Sequence, residues 1–172
     1  MRIIILFIML SSCIFMQKKD PNFFSSDNIY KITKLYRPML RHDSLAINEI
    51  SNYDKLIVHY FNGECSICIG GMISLYKFYN KHNVINSELL FIVDTADTIV
   101  FNFYRERDVP EALVLHDENL LFEKAFPEVK NGNNITYVFD NNGKLIIKGD
   151  FANDDKFQAK LLDELDQYKA FN

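Results

Sequence analysis

The sequence predicts an α/β protein with three layers: a mixed sheet with helices on both faces, closed by a C-terminal β-hairpin and helix. Three observations carry this expectation. Residues 55–61 and 89–93 are short, nearly continuous apolar runs, as in strands buried on both faces. Between them, apolar residues recur at intervals of three and four, the spacing of an amphipathic helix. Near the end, two alternating β-rich runs flank Asp140-Asn141-Asn142-Gly143, which reads as a hairpin.

Each element follows in order. Residues 28–40 carry Ile29, Ile32, Leu35, Tyr36 and Leu40 at helical spacing, with Pro38 limiting the regularity of the end. "KLIVHYF" at 55–61 is a buried strand, broken by Asn62-Gly63. From Cys65 to about His82 a helix is expected from Ile69, Met72, Ile73, Tyr76 and Tyr79. "LLFIV" at 89–93 is a second strand, and Asp97 is placed to cap a helix running through about Arg105. Residues 112–116 form a shorter strand, followed by a helical turn or two over 120–126. After the hairpin comes an amphipathic helix with Phe157, Leu161, Leu162, Leu165, Tyr168 and Phe171 on its apolar face. Strands alternating with helices and then closing on a hairpin give the mixed, doubly covered sheet.

The chain has 172 residues, 48% of them hydrophobic and 24% charged, enough for one domain with a real core. Its formal charge is −4 and no basic stripe runs along it. Nucleic acid is therefore not an expected partner, because phosphate binding needs clustered Lys and Arg.

The N-terminus is a separate unit. Arg2 precedes Ile3 to Leu10, an unbroken apolar run of eight, too short for a transmembrane helix and typical of a secretory signal. Leu10-Ser11-Ser12-Cys13 resembles the lipobox of bacterial lipoproteins. That resemblance implies removal of residues 1–12 and acylation of Cys13. Residues 13–27 would then be a tether and 28–172 the folded domain, lipid-anchored to a bacterial membrane and facing the periplasm. Ile14 does not obviously signal retention at an inner membrane.

Of three cysteines, Cys65 and Cys68 remain once Cys13 is lipidated. An exported compartment permits a disulfide between them. The pair could be a redox site, half of a metal site or an inert cross-link. A structural zinc site usually needs four ligands. There is no second cysteine pair, and His42, His59, His82 and His116 are scattered, so no metal is expected. An inert cross-link would close a loop of only a few residues and stabilise little.

A strand, a short turn, Cys65-Ser66-Ile67-Cys68 opening a helix, and a later hairpin containing "VFDNNGKLI" resemble the thioredoxin fold. More narrowly, the pattern resembles the membrane-tethered, TlpA-like thioredoxin-family lipoproteins of bacteria, from about Lys55 to the C-terminus. The resemblance implies a thiol-disulfide oxidoreductase with no bound cofactor, acting on exported proteins that bear thiols or disulfides. A membrane partner would supply or take the electrons. Cys65 would be the nucleophile, favoured as a thiolate by the helix N-terminus, and Cys68 the resolving thiol one turn on.

Neighbouring residues modify this expectation. His59, six residues before Cys65, stands where thioredoxins often hold a buried acid. It is either a proton relay to the resolving thiol or a hydrogen-bonded core histidine. Glu64 stands where many relatives carry Trp, next to the nucleophile and within reach of substrate. Its carboxylate would raise the thiol pKa and favour a reductant or isomerase over an oxidase. Gly70 and Gly71, inside the helix, require either a close approach by a partner or neighbouring backbone, or an irregular helix. The family's cis-proline position falls here at Asn134 or Ile135, with no proline, so a trans peptide is expected. That loop presents backbone to substrate in the family, which makes Ile135 a candidate substrate contact. The same departure supports an alternative: a non-catalytic, thioredoxin-like binding lipoprotein with an inert disulfide. A peroxidase fits less well, for want of the Thr and Arg that would attend a peroxidatic cysteine. Asn134-Ile135-Thr136 also matches a glycosylation sequon, a chance match in a bacterial lipoprotein.

Overall fold

A computed structural model describes residues 37–39, 53–82, 86–129 and 134–166. The elements run β1 (Arg37–Pro38), β2 (Lys55–Asn62), α1 (Ser66–His82), β3 (Ser87–Asp94), α2 (Thr98–Asp108), β4 (Leu113–His116) and α3 (Leu121–Ala125). A 3₁₀ turn (Pro127–Val129), the hairpin β5 (Ile135–Asp140) and β6 (Leu145–Gly149), and α4 (Asp155–Asp166) complete them.

The described residues build one six-stranded sheet in the order β1-β4-β3-β2-β5-β6. β2, β3 and β4 are parallel, whereas β5 runs antiparallel to β2 and β6 antiparallel to β5. β2 is the centre, with Ile57, Val58, His59 and Phe61 completely buried. This explains its unbroken apolar composition: side chains alternate between two covered faces.

Leu56, Val58 and Tyr60 point to one core, filled from β3 to β5 and covered by Phe122, Phe126 and Val129 of α3 and the 3₁₀ turn. Ile57 and Phe61 point to the other, covered by Cys68, Met72 and Leu75 of α1, Phe101 of α2 and Phe157, Leu161 and Leu165 of α4. The hairpin turn is held by Asp140, whose carboxylate accepts the N–H groups of Asn142 (2.9 Å) and Lys144 (2.8 Å). Gly143 supplies the left-handed conformation there, at φ 77°.

The alternation of strands and helices is as expected from the pattern, with one correction at the N-terminal side. The spacing over 28–40 predicts a helix, but Arg37–Pro38 is extended and pairs antiparallel with β4. The free edge of β4 offers hydrogen bonds that local apolar spacing cannot reveal. Pro38 is tolerated because β1 is an edge strand. The rest of that expected helix, the signal and tether segments with Cys13, and Tyr168 and Phe171 lie outside the described residues. Among the described residues no helix is long and apolar enough to cross a membrane.

Candidate redox site

The site begins where β2 ends. Asn62 closes a tight turn: its side-chain oxygen accepts the Glu64 N–H at 2.7 Å and its carbonyl accepts the Cys65 N–H at 3.3 Å. Gly63 donates its N–H to Asp94 O at 2.8 Å, pinning the turn to the end of β3. A Cβ at this glycine would lie 2.8 Å from Val93 Cγ2 and 2.9 Å from Thr95 Cβ. Only glycine lets the loop approach β3 this closely.

Cys65 therefore sits at the entrance to α1, its carbonyl accepting the first helical N–H, from Ile69, at 3.0 Å. It is partly exposed, while Cys68 is buried at 5%. The two are joined by a disulfide with Cα atoms 5.1 Å apart. The Cys68 backbone N–H donates to Cys65 Sγ at 3.3 Å. An N–H aimed at the outer sulfur, at the positive end of a helix dipole, is the environment that stabilises a thiolate once the disulfide opens.

His59 lies on the sheet face shared by Ile57, Phe61 and the Cys68 core. It is completely buried, stacked on Phe61 and edge-on to Phe91. Its Nδ1 is 2.9 Å from Thr136 Oγ1, the residue opposite it on β5. Its Nε2 is buried with no hydrogen-bond partner. Desolvation lowers its pKa to about 4, partly opposed by the charge of Asp150, so the ring is neutral at neutral pH.

Glu64 is exposed but not loose: its Oε1 accepts the Ala96 N–H at 2.9 Å. The carboxylate thereby ties the turn before Cys65 to the turn before α2. Asp97 caps α2 through Val100 N at 2.9 Å. On the other flank of α1, the missing Cβ of Gly71 would meet Ala152 Cβ at 3.3 Å and Asn134 Nδ2 at 3.4 Å. Of the two helix glycines, Gly71 is thus needed for a close approach, while nothing lies within 4 Å of a Cβ at Gly70. Asn134 is the residue before β5 that meets α1; the Ile135 side chain packs against the opposite core. No cis peptide occurs among the described residues, and among them no three His, Cys, Asp or Glu side chains gather as a metal site.

Sequence reasoning brought together Cys65, Cys68, His59 and Glu64, but missed Thr136 and Ala96. Thr136 pairs with His59 only through strand register, which no local signal encodes. The run "TIVFNFY" carries a local signal for the exposed side of α2: it has more apolar residues than one buried helix face can hold.

A mixed sheet between two helical layers, with a Cys-x-x-Cys disulfide at the first turn of the helix after its central strand, defines a thioredoxin-like fold. Solved structures agree. The chain superposes on a candidate protein disulfide isomerase from Bacteroides thetaiotaomicron with a TM-score of 0.55 at 13% identity, covering 69% of this chain and 79% of that one. A candidate thiol:disulfide interchange protein DsbE from Chlorobium tepidum gives 0.53 at 14% identity, over 65% and 80% of the two chains. An uncharacterised thioredoxin-like protein from Porphyromonas gingivalis gives 0.51 at 17%, over 66% and 74%. No family model and no curated protein matches the sequence. At these identities the likeness establishes the fold.

Proposed function

We propose that this chain is a membrane-anchored thiol-disulfide oxidoreductase acting on exported proteins. The observation that carries the reading is the asymmetry of the cysteine pair: Cys65 is partly exposed with the Cys68 N–H on its sulfur, and Cys68 is buried one turn on. In the reduced protein the Cys65 thiolate attacks one sulfur of a substrate disulfide. That S–S bond breaks, a Cys65–substrate disulfide forms, and the departing substrate thiolate takes a proton. Cys68 then loses its proton and attacks Cys65 Sγ, releasing the second substrate thiol and restoring the Cys65–Cys68 disulfide. The substrate gains two electrons and the protein loses two. A membrane electron-transfer partner of the opposite redox state resets the pair, and no bound cofactor takes part.

In this reading His59 takes the Cys68 proton in the second step. Its ring is neutral at neutral pH and its Nε2 is uncommitted. Cys13 carries the lipid that holds the domain at the membrane, and Glu64 and the Asn134–Ile135 segment flank the substrate. The second reading, a binding lipoprotein with an inert disulfide, is favoured by one feature, the absence of proline before β5.

The test is the Cys68→Ser variant of the full chain, reduced and incubated with disulfide-bearing exported proteins. Accumulation of mixed disulfides through Cys65, absent from Cys65→Ser, is the expected result. A Cys65–Cys68 reduction potential between about −120 and −270 mV would accompany it. No trapped species and a potential below about −300 mV would establish the inert cross-link instead. Labelled fatty acid incorporated by the native chain and not by Cys13→Ser checks the anchor.

A further inference from the structure

Only Phe101 and Arg105 of α2 are buried. Ile99 (83% exposed), Val100 (50%), Phe103 (65%) and Tyr104 (37%) form a stripe at i, i+1, i+4 and i+5 on its outer side. Ile67, two residues from Cys65, is 73% exposed. Singly exposed apolar residues are ordinary, but a contiguous group marks an interaction surface.

Between this stripe and α1 lies a groove of about 580 Å³. Its floor is Gly63, Ser66, Ile69, Gly70 and Ile73, and Val100 and Tyr104 form the facing wall. Bare Ser66 and Gly70 leave the α1 side open to a chain lying along it. The groove runs up to Glu64 and Ser66, the two neighbours of Cys65. It is on the opposite flank of α1 from Gly71 and Asn134.

The charges in the groove are one-sided. Arg107 is engaged by Asp108 through two contacts, at 3.0 and 2.6 Å. Glu64 and Asp97 accept backbone N–H groups, and among the described residues neither is paired with a cation. The groove is apolar with two uncompensated carboxylates, of which Glu64 is the residue next to Cys65.

We infer that this α1–α2 groove seats an extended segment of the protein that exchanges disulfides at Cys65, a segment carrying apolar side chains and a Lys or Arg. The inference rests on the exchange function proposed above. A polypeptide joined to Cys65 through an S–S bond must run across adjoining surface. The groove is continuous with that sulfur, and its negative charges complement a basic residue. Selection among substrates then comes from the flanks of the reacting cysteine.

The experiment follows the rate at which the reduced full chain releases thionitrobenzoate from synthetic peptides, each with one cysteine in mixed disulfide with that group. Cys65→Ser serves as the blank. The cysteine is flanked on both sides by leucine, phenylalanine and lysine, by the same residues with glutamate for lysine, or by glycine and serine. Each rate is divided by the rate with glutathione disulfide. The apolar-basic peptide should exceed the glycine-serine peptide about tenfold, about the effect of burying one large apolar side chain. The glutamate peptide should fall between them.

Gly70→Leu, which fills the groove and improves helix propensity, should remove most of that preference. Equal rates for all peptides, with glutathione disulfide still reacting, would overturn the groove and leave the exchange function standing. No reaction above the blank with any disulfide would overturn both. A melting temperature lowered by Gly70→Leu would mean the chain's own segment fills the groove. A wild-type dimer made monomeric by the same change would mean a second copy does. Either result overturns the assignment to a substrate segment.

Discussion

Nδ1 of His59 and Oγ1 of Thr136 face each other at 2.9 Å across the β2–β5 ladder, both side chains fully buried. The hydrogen bond fixes the ring's orientation and leaves Nε2 buried without a hydrogen-bond partner. It also keeps a titratable group in the centre of the fold.

That burial sets a pH dependence of stability. The folded-state pKa of His59 is lowered to about 4, mainly by desolvation, against about 6.5 when unfolded. Between these values the unfolded chain binds a proton the folded one does not, so stability falls as pH drops through that window. The full effect is about 3 kcal/mol, complete once pH is below the folded value. Glu88, Asp94 and Asp117, pushed up by burial, act with the opposite sign. Chemical denaturation of the wild type and a His59→Leu/Thr136→Val double variant at several pH values isolates the term. The difference in stability between them should tilt against the wild type as pH falls from about 6.5 to 4; parallel curves would count against a buried neutral histidine.

Glu64 places a negative charge one residue from Cys65 while its carboxylate holds Ala96 N. A nearby carboxylate disfavours the thiolate. Glu64→Gln keeps an oxygen acceptor for the Ala96 N–H and removes the charge. The Cys65 thiol pKa, read from the pH dependence of alkylation in the reduced protein, should therefore fall. The pair should become more oxidising as its reduced form is stabilised. An unchanged pKa would show that water screens this carboxylate from the sulfur.

Gly63 is the contact on which the turn before Cys65 rests. An alanine methyl would collide with Val93 Cγ2, Thr95 Cβ and Phe101 Cδ2, the last at 3.2 Å. Gly63→Ala should cost about 1–3 kcal/mol in denaturant unfolding, the range of an overpacked core. It should also slow exchange by displacing the loop that presents Cys65. Wild-type stability in this variant would mean the turn can shift away from β3 at no cost.

Much of this molecule was legible in the sequence because its signals are local. An unbroken apolar run had to be a strand covered on both faces, since β2 turns alternate side chains into two cores. Cys65 and Cys68, three residues apart at the start of an apolar-periodic helix, had to lie one turn apart on one face. Asp97 fell at the N-cap for the same local reason. By contrast, the spacing at 28–40 read as helical, yet Arg37–Pro38 joined the sheet because β4 had an open edge.

The sequence by itself thus determined the alternation of elements, the hairpin and the placement of two cysteines at a helix N-terminus. Those depend on periodicity, turn chemistry and short spacings. Only the tertiary structure decided that Thr136 partners His59, that Glu64 holds Ala96, that Gly71 admits Asn134 while Gly70 opens on a groove, and that α2 leaves four of its five apolar residues uncovered. These pairs are 32 to 77 residues apart where their hydrogen bonds are concerned. Strand register and helix packing bring them together, and both are set by the burial of the whole core rather than by any one segment.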